Sequence, residues 1–457
     1  MSLDALHSLA LTGPDLEVST SPEVLTAYAT DQGPVQDYAE PLAVAWASSV
    51  SGVSAVVRWA RANRITVVTR GAGTGVSGGA HATAGCIILS LERMNRILEL
   101  NAQDEIAVVE PGVVNADLNA AAAPYGLMYA PDPASYRIST IGGNVATNAG
   151  GLRCAKYGVT RDSVLGLDVV LADGTLISTG HRTFKGVAGY DLTGLFTGSE
   201  GTLGIVVGIT VRLRYLPVET RTVAAFFPDF PTAAAGVLAI GAARVQPAIM
   251  ELMDRATLIA LDGAHGSGLR HRGSTLLLVQ TDGYGADAEA QVVRSVLLGL
   301  GGTVSTEESG EAEALVELRR HSRGDAVAEQ TRVGEDVAVP RSSLVRYVGE
   351  LERMAATHRV NLKVVAHAGD GNLHPTFWVQ TADEDGLGRL DAALDESIAV
   401  ALSMGGTITG EHGIGQYKLR WLAAEQSADV LELQRRIRTL FDPAGILNPG
   451  KAIPPRG

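Results

Sequence analysis

The stretch RGAGTGVSGG at 70–79 follows directly on ITVVTR, a run that reads as a buried strand. Five glycines in ten residues leave a row of backbone N–H groups with no bulky side chain in front of them. Such a nest suits the oxygens of a phosphate or pyrophosphate. It is not a P-loop, because no lysine follows the second glycine at the required place. It is not a nicotinamide-binding turn either, because the next residues, AHATAGCIILS, lead into a strand instead of a helix. Two further clusters stand at 142–151, within STIGGNVATNAGG, and at 198–204, in GSEGTLG. Three glycine clusters point to backbone that approaches a ligand closely.

Around them the chain alternates strands and helices. LAVAWA (42–47) predicts a buried strand, SGVSAVVRWARAN (51–63) an amphipathic helix begun by an N-cap serine, CIILSL and IAVVEPG two more strands, and the Ala-rich 114–123 a helix. The pattern is α+β. VLGLDVVLADGTLIS reads as a hairpin around Asp173-Gly174, whereas 130–162 shows almost no periodicity and reads as one long functional loop. Near 217 the prolines Pro217, Pro228 and Pro231 punctuate and the glycine clusters thin out. A first domain is therefore expected over 1–217, with its core at about 40–217, and a second over 218–405. TLLLVQTDG and EAQVVRSVLLGL make the second an antiparallel sheet covered by helices. The segment 406–457 turns glycine-rich again and ends in FDPAGILNPGK, as if returning to the first domain.

The formal net charge of −13 is spread along the chain, which argues against a nucleic-acid partner. Cys86 and Cys154 are the only cysteines and form no C-x-x-C, so an iron–sulfur cluster or a cysteine zinc site within this chain is excluded. The acidic start MSLDALHS is unlike a signal peptide, and no run reaches twenty apolar residues. The expectation is a cytoplasmic protein, with peripheral association at the inner membrane face and homodimerisation both compatible with it.

HAGDGNLH at 367–374 puts two histidines seven apart with Gly369 and Gly371 between them. Adjacent ligands on a helix stand three or four apart, and a spacing of seven with two glycines inside is not that pattern, so the pair belongs at the ends of a tight loop. GEHGIG at 410–415 adds a carboxylate. Neutral His367 and His374 with Glu411 make a two-histidine, one-carboxylate ligand set suited to Zn²⁺, Mn²⁺ or Fe²⁺, with coordination positions left for a substrate. His412, next to one ligand, can face the same pocket without binding the ion.

The glycine clusters, together with PDPAS at 131–135, resemble the FAD-binding (PCMH-type) domain of the vanillyl-alcohol oxidase flavoprotein superfamily, whose second part is an antiparallel-sheet substrate or cap domain. The resemblance implies that Gly71, Ala72, Gly73, Thr74, Gly75 and Ser77 bind the pyrophosphate of FAD. It also implies that Pro131, Thr140, Gly142, Gly143, Asn148, Gly151, Glu200, Gly204 and Ile205 line the rest. Covalent members often carry a histidine where Thr74 stands, so FAD is expected to bind non-covalently.

HAGDGNLH, GEHGIG and DPAGILNPGK in this order resemble the D-2-hydroxyacid dehydrogenase branch, the group of D-lactate dehydrogenases, the glycolate oxidase D-type subunit and D-2-hydroxyglutarate dehydrogenases. This implies His367, His374 and Glu411 as ligands of a divalent metal, zinc first, His412 as the catalytic base, and Asn448 as a residue that returns to the flavin. The substrate is then a 2-hydroxy acid, and the electron acceptor another protein or a quinone instead of O₂. Within 317–342, Arg319 matches the carboxylate-binding arginine, with Arg320 and Arg323 as alternatives. Gly334 stands where members that take the five-carbon diacid have a lysine, which favours a monocarboxylate such as lactate or glycolate. Lys418 and Lys451 are left open between a phosphate or substrate contact and a surface role.

Overall fold

The apolar run AVAWA forms a strand buried at every position, and CIILS forms another. Strands that bury both faces belong inside a parallel arrangement flanked by helices, and that is where the computed structural model has them. It describes residues 9, 13, 15–34, 38–305, 311–320 and 329–455. The chain divides into two compact units: Met1–Gly150, Gly158–Leu216 and Glu411–Gly457 form one, and Gly151–Tyr157 with Pro217–Gly410 the other.

In the first unit β1 (Leu16–Ser19), β2 (Ala43–Ala47), β3 (Thr66–Arg70) and β4 (Cys86–Ser90) make one sheet in the order β1-β2-β4-β3. β2, β4 and β3 run parallel, while β1 pairs antiparallel with β2. The helix Val50–Asn63 joins β2 to β3. Its N-cap is Ser49, two residues before the serine expected from the sequence; the Ser49 side chain accepts from the amide of Gly52, and Arg64 ends the helix in the left-handed region at φ 55°. Val53, Val56, Val57 and Ala60 bury the face that packs on this sheet. A second, antiparallel sheet joins β5 (Ile97–Asn101), β6 (Ile106–Val109), β8 (Val164–Val170), β9 (Leu176–Gly180) and β10 (Ile205–Arg212) in the order β5-β6-β10-β8-β9. β7 (Leu127–Met128) pairs with β11 (Arg214–Tyr215). The hairpin at Asp173-Gly174 forms as expected, with Gly174 at φ 82° where an L side chain is strained. The C-terminal stretch also enters this unit: Leu447 bridges to Val67 of β3, and Ile446 and Leu447 join the buried cluster around Val56, Ile87 and Leu89.

One expectation is corrected here. The region 130–162 is not a single irregular loop but holds short helices at Ile141–Thr147, Cys154–Tyr157 and Thr160–Ser163. The longest spans two turns and carries glycines at its start, too short for an apolar period to show.

Among the described residues the second unit has eight strands: β12 (Thr220–Phe227), β13 (Ile249–Met253), β14 (Thr275–Asp282), β15 (Thr303–Val304), β16 (Gln330–Gly334), β17 (Val337–Ala338), β18 (Asn361–His367) and β19 (Asn372–Gln380). Their order is β15-β12-β14-β13-β18-β19-β16, with β17 also on β19, and every pairing is antiparallel. The helices Phe230–Ala242, Ala286–Gly299, Leu344–His358 and Gly386–Ser403 cover it with apolar faces. Among the described residues, no helix is long and apolar enough to cross a membrane.

Asp254 caps the helix Arg255–His265, accepting from the amides of Thr257 and Val364 at 2.8 and 2.9 Å. Burial pushes its carboxyl up to about 6, against the hydrogen bonds of Thr257 and Val364. An acid whose pKa is raised on folding holds its proton more tightly in the native state. The stability it contributes is complete below the unfolded pKa of about 3.9 and is lost as pH rises through the native value. Asp254→Asn removes this term while keeping an N-capping side chain. The gap in melting temperature between wild type and variant is expected to narrow between about pH 4 and pH 6.5; a gap that widens over this range refutes the assignment.

Candidate active site

In the second unit the two histidines of HAGDGNLH lie on a β-hairpin, not at the two ends of its turn. His367 ends β18, and His374 is the third residue of β19. The register pairs His367 with Asn372 and Val365 with His374. Side chains alternate between faces along a strand, so His374, opposite Val365, shares a face with His367 two residues on. The rings meet edge to face with centroids 5.0 Å apart. The turn's glycines have local reasons. Gly371 sits at φ 84°, where a Cβ would lie 2.2 Å from the carbonyl oxygen of Val339, and a Cβ on Gly369 would lie 2.7 Å from that of Ala155.

Two buried carboxylates that the sequence reading did not single out hold this hairpin. Glu251, in the middle of the buried strand β13, is the cross-strand partner of His367, and its Oε1 lies 2.6 Å from His367 Nδ1. The proton of that imidazole belongs on Nδ1, which leaves the Nε2 lone pair for a ligand. Asp336 is fully buried and accepts from Asn372 Nδ2 at 2.7 Å, Thr409 Oγ1 at 2.8 Å and the amide of Gly410 at 2.9 Å; His374 Nδ1 stands 3.9 Å from it. Thr409 and Gly410 are thereby tied beside the hairpin, and Glu411 follows by one peptide bond. A carboxylate-oriented histidine next to a second imidazole fits a divalent cation.

Arg319 lies on the helix Glu311–Arg320, buried, with Nε 2.6 Å from Glu251 Oε2. Arg320 is on the same helix, 3.7 Å from Glu317. Arg323 lies outside the described residues. Gly334 is exposed at the end of β16, opposite Thr376.

In the first unit Gly71, Ala72, Gly73, Thr74 and Gly75 form an irregular, partly exposed loop directly after β3. Gly73 takes φ 68° with the Arg70 guanidinium packed against it, and a Cβ on Gly71 would lie 2.5 Å from Thr140 Oγ1. Thr140 caps the helix Ile141–Thr147 by accepting from Gly143. Gly142 passes so close to Pro111 that a Cβ would lie 2.5 Å from the proline's own. Pro131 is buried, with its carbonyl accepting from Asn115 Nδ2 at 3.0 Å. Asn148 ends the helix at φ 52°, and its Oδ1 accepts from the Arg161 amide. Beside these, Ser139 Oγ and Asn144 Nδ2 are buried without a hydrogen-bond partner in the protein. Buried polar atoms normally find one, so this stretch fits a polar ligand with oxygens to share, as a dinucleotide has. Gly204 packs on Val169, and Ile205 opens β10. Gly151 falls in the second unit.

Ser77, Glu200 and Asn448 form a clamp within this unit. Ser77 Oγ donates to the carbonyl oxygens of His412 and Gly413 at 3.3 and 3.1 Å, while its own carbonyl accepts from the amides of Gln416 and Tyr417. The Glu200 carboxylate accepts from the amides of Ile414 and Gly415, both at 2.8 Å. Asn448 Nδ2 donates to the carbonyl oxygens of Gly79 and Glu200 at 3.0 and 2.7 Å. Burial pushes the Glu200 carboxyl up to about 7, against those two amides. Lys451 is fully buried, donates to the carbonyl of His81 at 2.9 Å and is pushed down to about 8 by burial, so it has no surface role. Lys418 is buried as well. The loop that carries His412 is therefore fixed by its backbone to both the first and the third glycine cluster. The His412 side chain is partly exposed, with Nε2 3.9 Å from Glu411 Oε1.

Two families of known proteins match the chain. Residues 41–180 match the family described as FAD binding domain, and residues 216–452 match FAD linked oxidases, C-terminal domain. The chain is 39% identical over 431 residues to glycolate oxidase subunit GlcD of Bacillus subtilis, covering 93% of this chain and 91% of that one. It is 34% identical to D-lactate dehydrogenase of Archaeoglobus fulgidus (91% and 92% covered) and 31% identical to D-2-hydroxyglutarate dehydrogenase of Stutzerimonas stutzeri (98% of both). Among solved structures, p-cresol methylhydroxylase with substrate bound superposes with a TM-score of 0.82 at 19% identity, covering 99% of this chain and 96% of that one. 4-Ethylphenol oxidase from Gulosibacter chungangensis does so with 0.80 at 23%, covering 99% and 97%. At these identities the structures speak for the fold, which is of the PCMH type expected from the glycine clusters.

Proposed function

The chain belongs to the FAD-linked oxidases, and from that premise we propose that it oxidises a D-2-hydroxy acid of the lactate or glycolate kind to the 2-oxo acid and passes the electrons to a protein or quinone instead of O₂. The observation that carries this reading is the clamp of Ser77 and Glu200 on the loop of His412, which ties a histidine next to a carboxylate to the residues expected at the flavin. The names of three relatives, glycolate oxidase subunit, D-lactate dehydrogenase and D-2-hydroxyglutarate dehydrogenase, share the 2-hydroxy acid.

In this reading the first unit binds FAD non-covalently through 71–77 and 140–148, with Glu200, Gly204, Ile205 and Asn448 behind. His367, His374 and Glu411 hold a divalent ion, with zinc as the first choice. Bound FAD supplies the two-electron acceptor, and the ion supplies a Lewis acid that lowers the pKa of a chelated hydroxyl. Arg319 pairs with the substrate carboxylate. His412 takes the hydroxyl proton, so that the Cα–H bond can give up its electron pair as the carbonyl forms. The alcohol thus loses two electrons and two protons. Gly334 offers no cation to a second carboxylate, which favours the monocarboxylate over the five-carbon diacid.

The experiment is anaerobic addition of D- and L-lactate, glycolate and D-2-hydroxyglutarate to the purified yellow protein. Bleaching of the flavin band by a D-monocarboxylate or glycolate is expected, with the L-isomer and the diacid slower by at least an order of magnitude. Bleaching by none of them, or by L-lactate as fast as by D-lactate, refutes the proposal.

A further inference from the structure

We infer that Glu251 is a positioning residue that serves the metal ligand His367 and the substrate-binding Arg319 together, an inference that rests on the metal reading above. Three elements converge on one carboxylate. β13 carries it, β18 carries His367 directly opposite in register, and the helix Glu311–Arg320 brings Arg319. One oxygen lies 2.6 Å from His367 Nδ1, and the other 2.6 Å from Arg319 Nε. All three side chains are at least nine-tenths buried, and Glu251 is completely so.

A charge with no access to water stays in a strand only where partners compensate it, because the cost of burying it alone is several kcal/mol. β13 is otherwise apolar, IMELM, so packing gives no reason for a glutamate at its centre. Its two neighbours give one. A carboxylate on Nδ1 fixes both the tautomer and the ring plane of a ligating histidine, and outer partners of this kind typically set metal affinity by 10–100-fold. The same carboxylate gives Arg319 a fixed origin, so that its planar fork is oriented before substrate arrives.

The two halves of the role are separable, because removing either neighbour leaves the other contact in place. Glu251→Gln removes the charge felt by His367. Arg319→Met removes the cation but leaves the carboxylate on His367.

The test uses the FAD-loaded full chain and Zn²⁺ as the probe, with affinity read by competition against a fluorescent chelator and substrate response by kinetics. Glu251→Gln is expected to weaken zinc 10–100-fold. Arg319→Met is expected to hold zinc within about threefold of wild type while the KM for the bleaching 2-hydroxy acid rises at least tenfold. A contribution from packing alone would instead weaken zinc in both variants. Unchanged zinc affinity in Glu251→Gln overturns the inference and leaves the metal reading standing; a wild type that binds no zinc overturns both. Should Glu251→Gln not fold, ¹⁵N-histidine NMR of the zinc-loaded wild type decides. Nδ1 of His367, assigned by its loss in His367→Gln, must carry the proton, and an unprotonated Nδ1 overturns the inference.

Discussion

Replacing His412 by alanine is expected to slow anaerobic flavin reduction by the D-2-hydroxy acid about 10³-fold, within the range typical of a lost general base, while the protein stays yellow. The two outcomes separate because of how the loop is held. Its anchors are backbone atoms: the His412 and Gly413 carbonyls accept from Ser77 Oγ, and the Ile414 and Gly415 amides donate to Glu200. The imidazole is no part of that clamp, so its removal takes away a proton acceptor without releasing the loop. Stopped-flow absorbance at the flavin band measures the rate, and the spectrum before mixing measures FAD content. A loss below tenfold with full flavin content assigns the base elsewhere.

Removal of the divalent ion is expected to bring substrate-driven bleaching down to background, with recovery on adding back Zn²⁺ or Mn²⁺. A hydroxyl on a carbon chain is too weak an acid for a histidine to deprotonate unaided near neutral pH, and a bound cation lowers such a pKa by several units. His374→Ala should reproduce the loss in metal-replete buffer, because it deletes a proposed ligand on the hairpin while the Asn372–Asp336–Gly410 contacts remain. Photoreduction of the flavin, which needs no hydroxy acid, should be unchanged in the chelated protein. Full activity after exhaustive chelation, with metal content verified by mass spectrometry, would falsify the metal-assisted reading.

What the sequence disclosed follows from which signals are local. A glycine loop after a strand, a hairpin at Asp173-Gly174 and an apolar strand such as TLLLVQTDG each declare themselves within ten residues, and the α+β class followed from them; the fold type and the family followed from the resemblance carried by the glycine clusters, HAGDGNLH, GEHGIG and DPAGILNPGK. The histidine pair was legible as a pair, but its setting was not: period-2 alternation across a hairpin, set by the pairing of Val365 with His374, brings the two rings together. Residues whose partners lie far along the chain stayed hidden. Glu251 is 116 residues from His367, and Asp336 is 74 from Gly410. A lone carboxylate inside IMELM was the one available sign of the first. The short segment 151–157 joins the second unit because Lys156 and Tyr157 both pair with Asp282, a contact no local pattern announces. Lys451 was ambiguous for a similar reason, since its carbonyl acceptor on His81 is 370 residues away.

The bridge between Leu447 and Val67 has a consequence for how the protein is made. Ile446 and Leu447 belong to the same buried cluster as strands laid down before residue 91. A ribosome must therefore synthesise the whole Pro217–Gly410 unit while the earlier core stands open at one side. Domains usually condense in the order of synthesis; here the later unit can finish first, and the earlier one waits for its closing segment. Nascent chains halted before residue 446 should accordingly hold a protease-resistant second unit beside a still-digestible first.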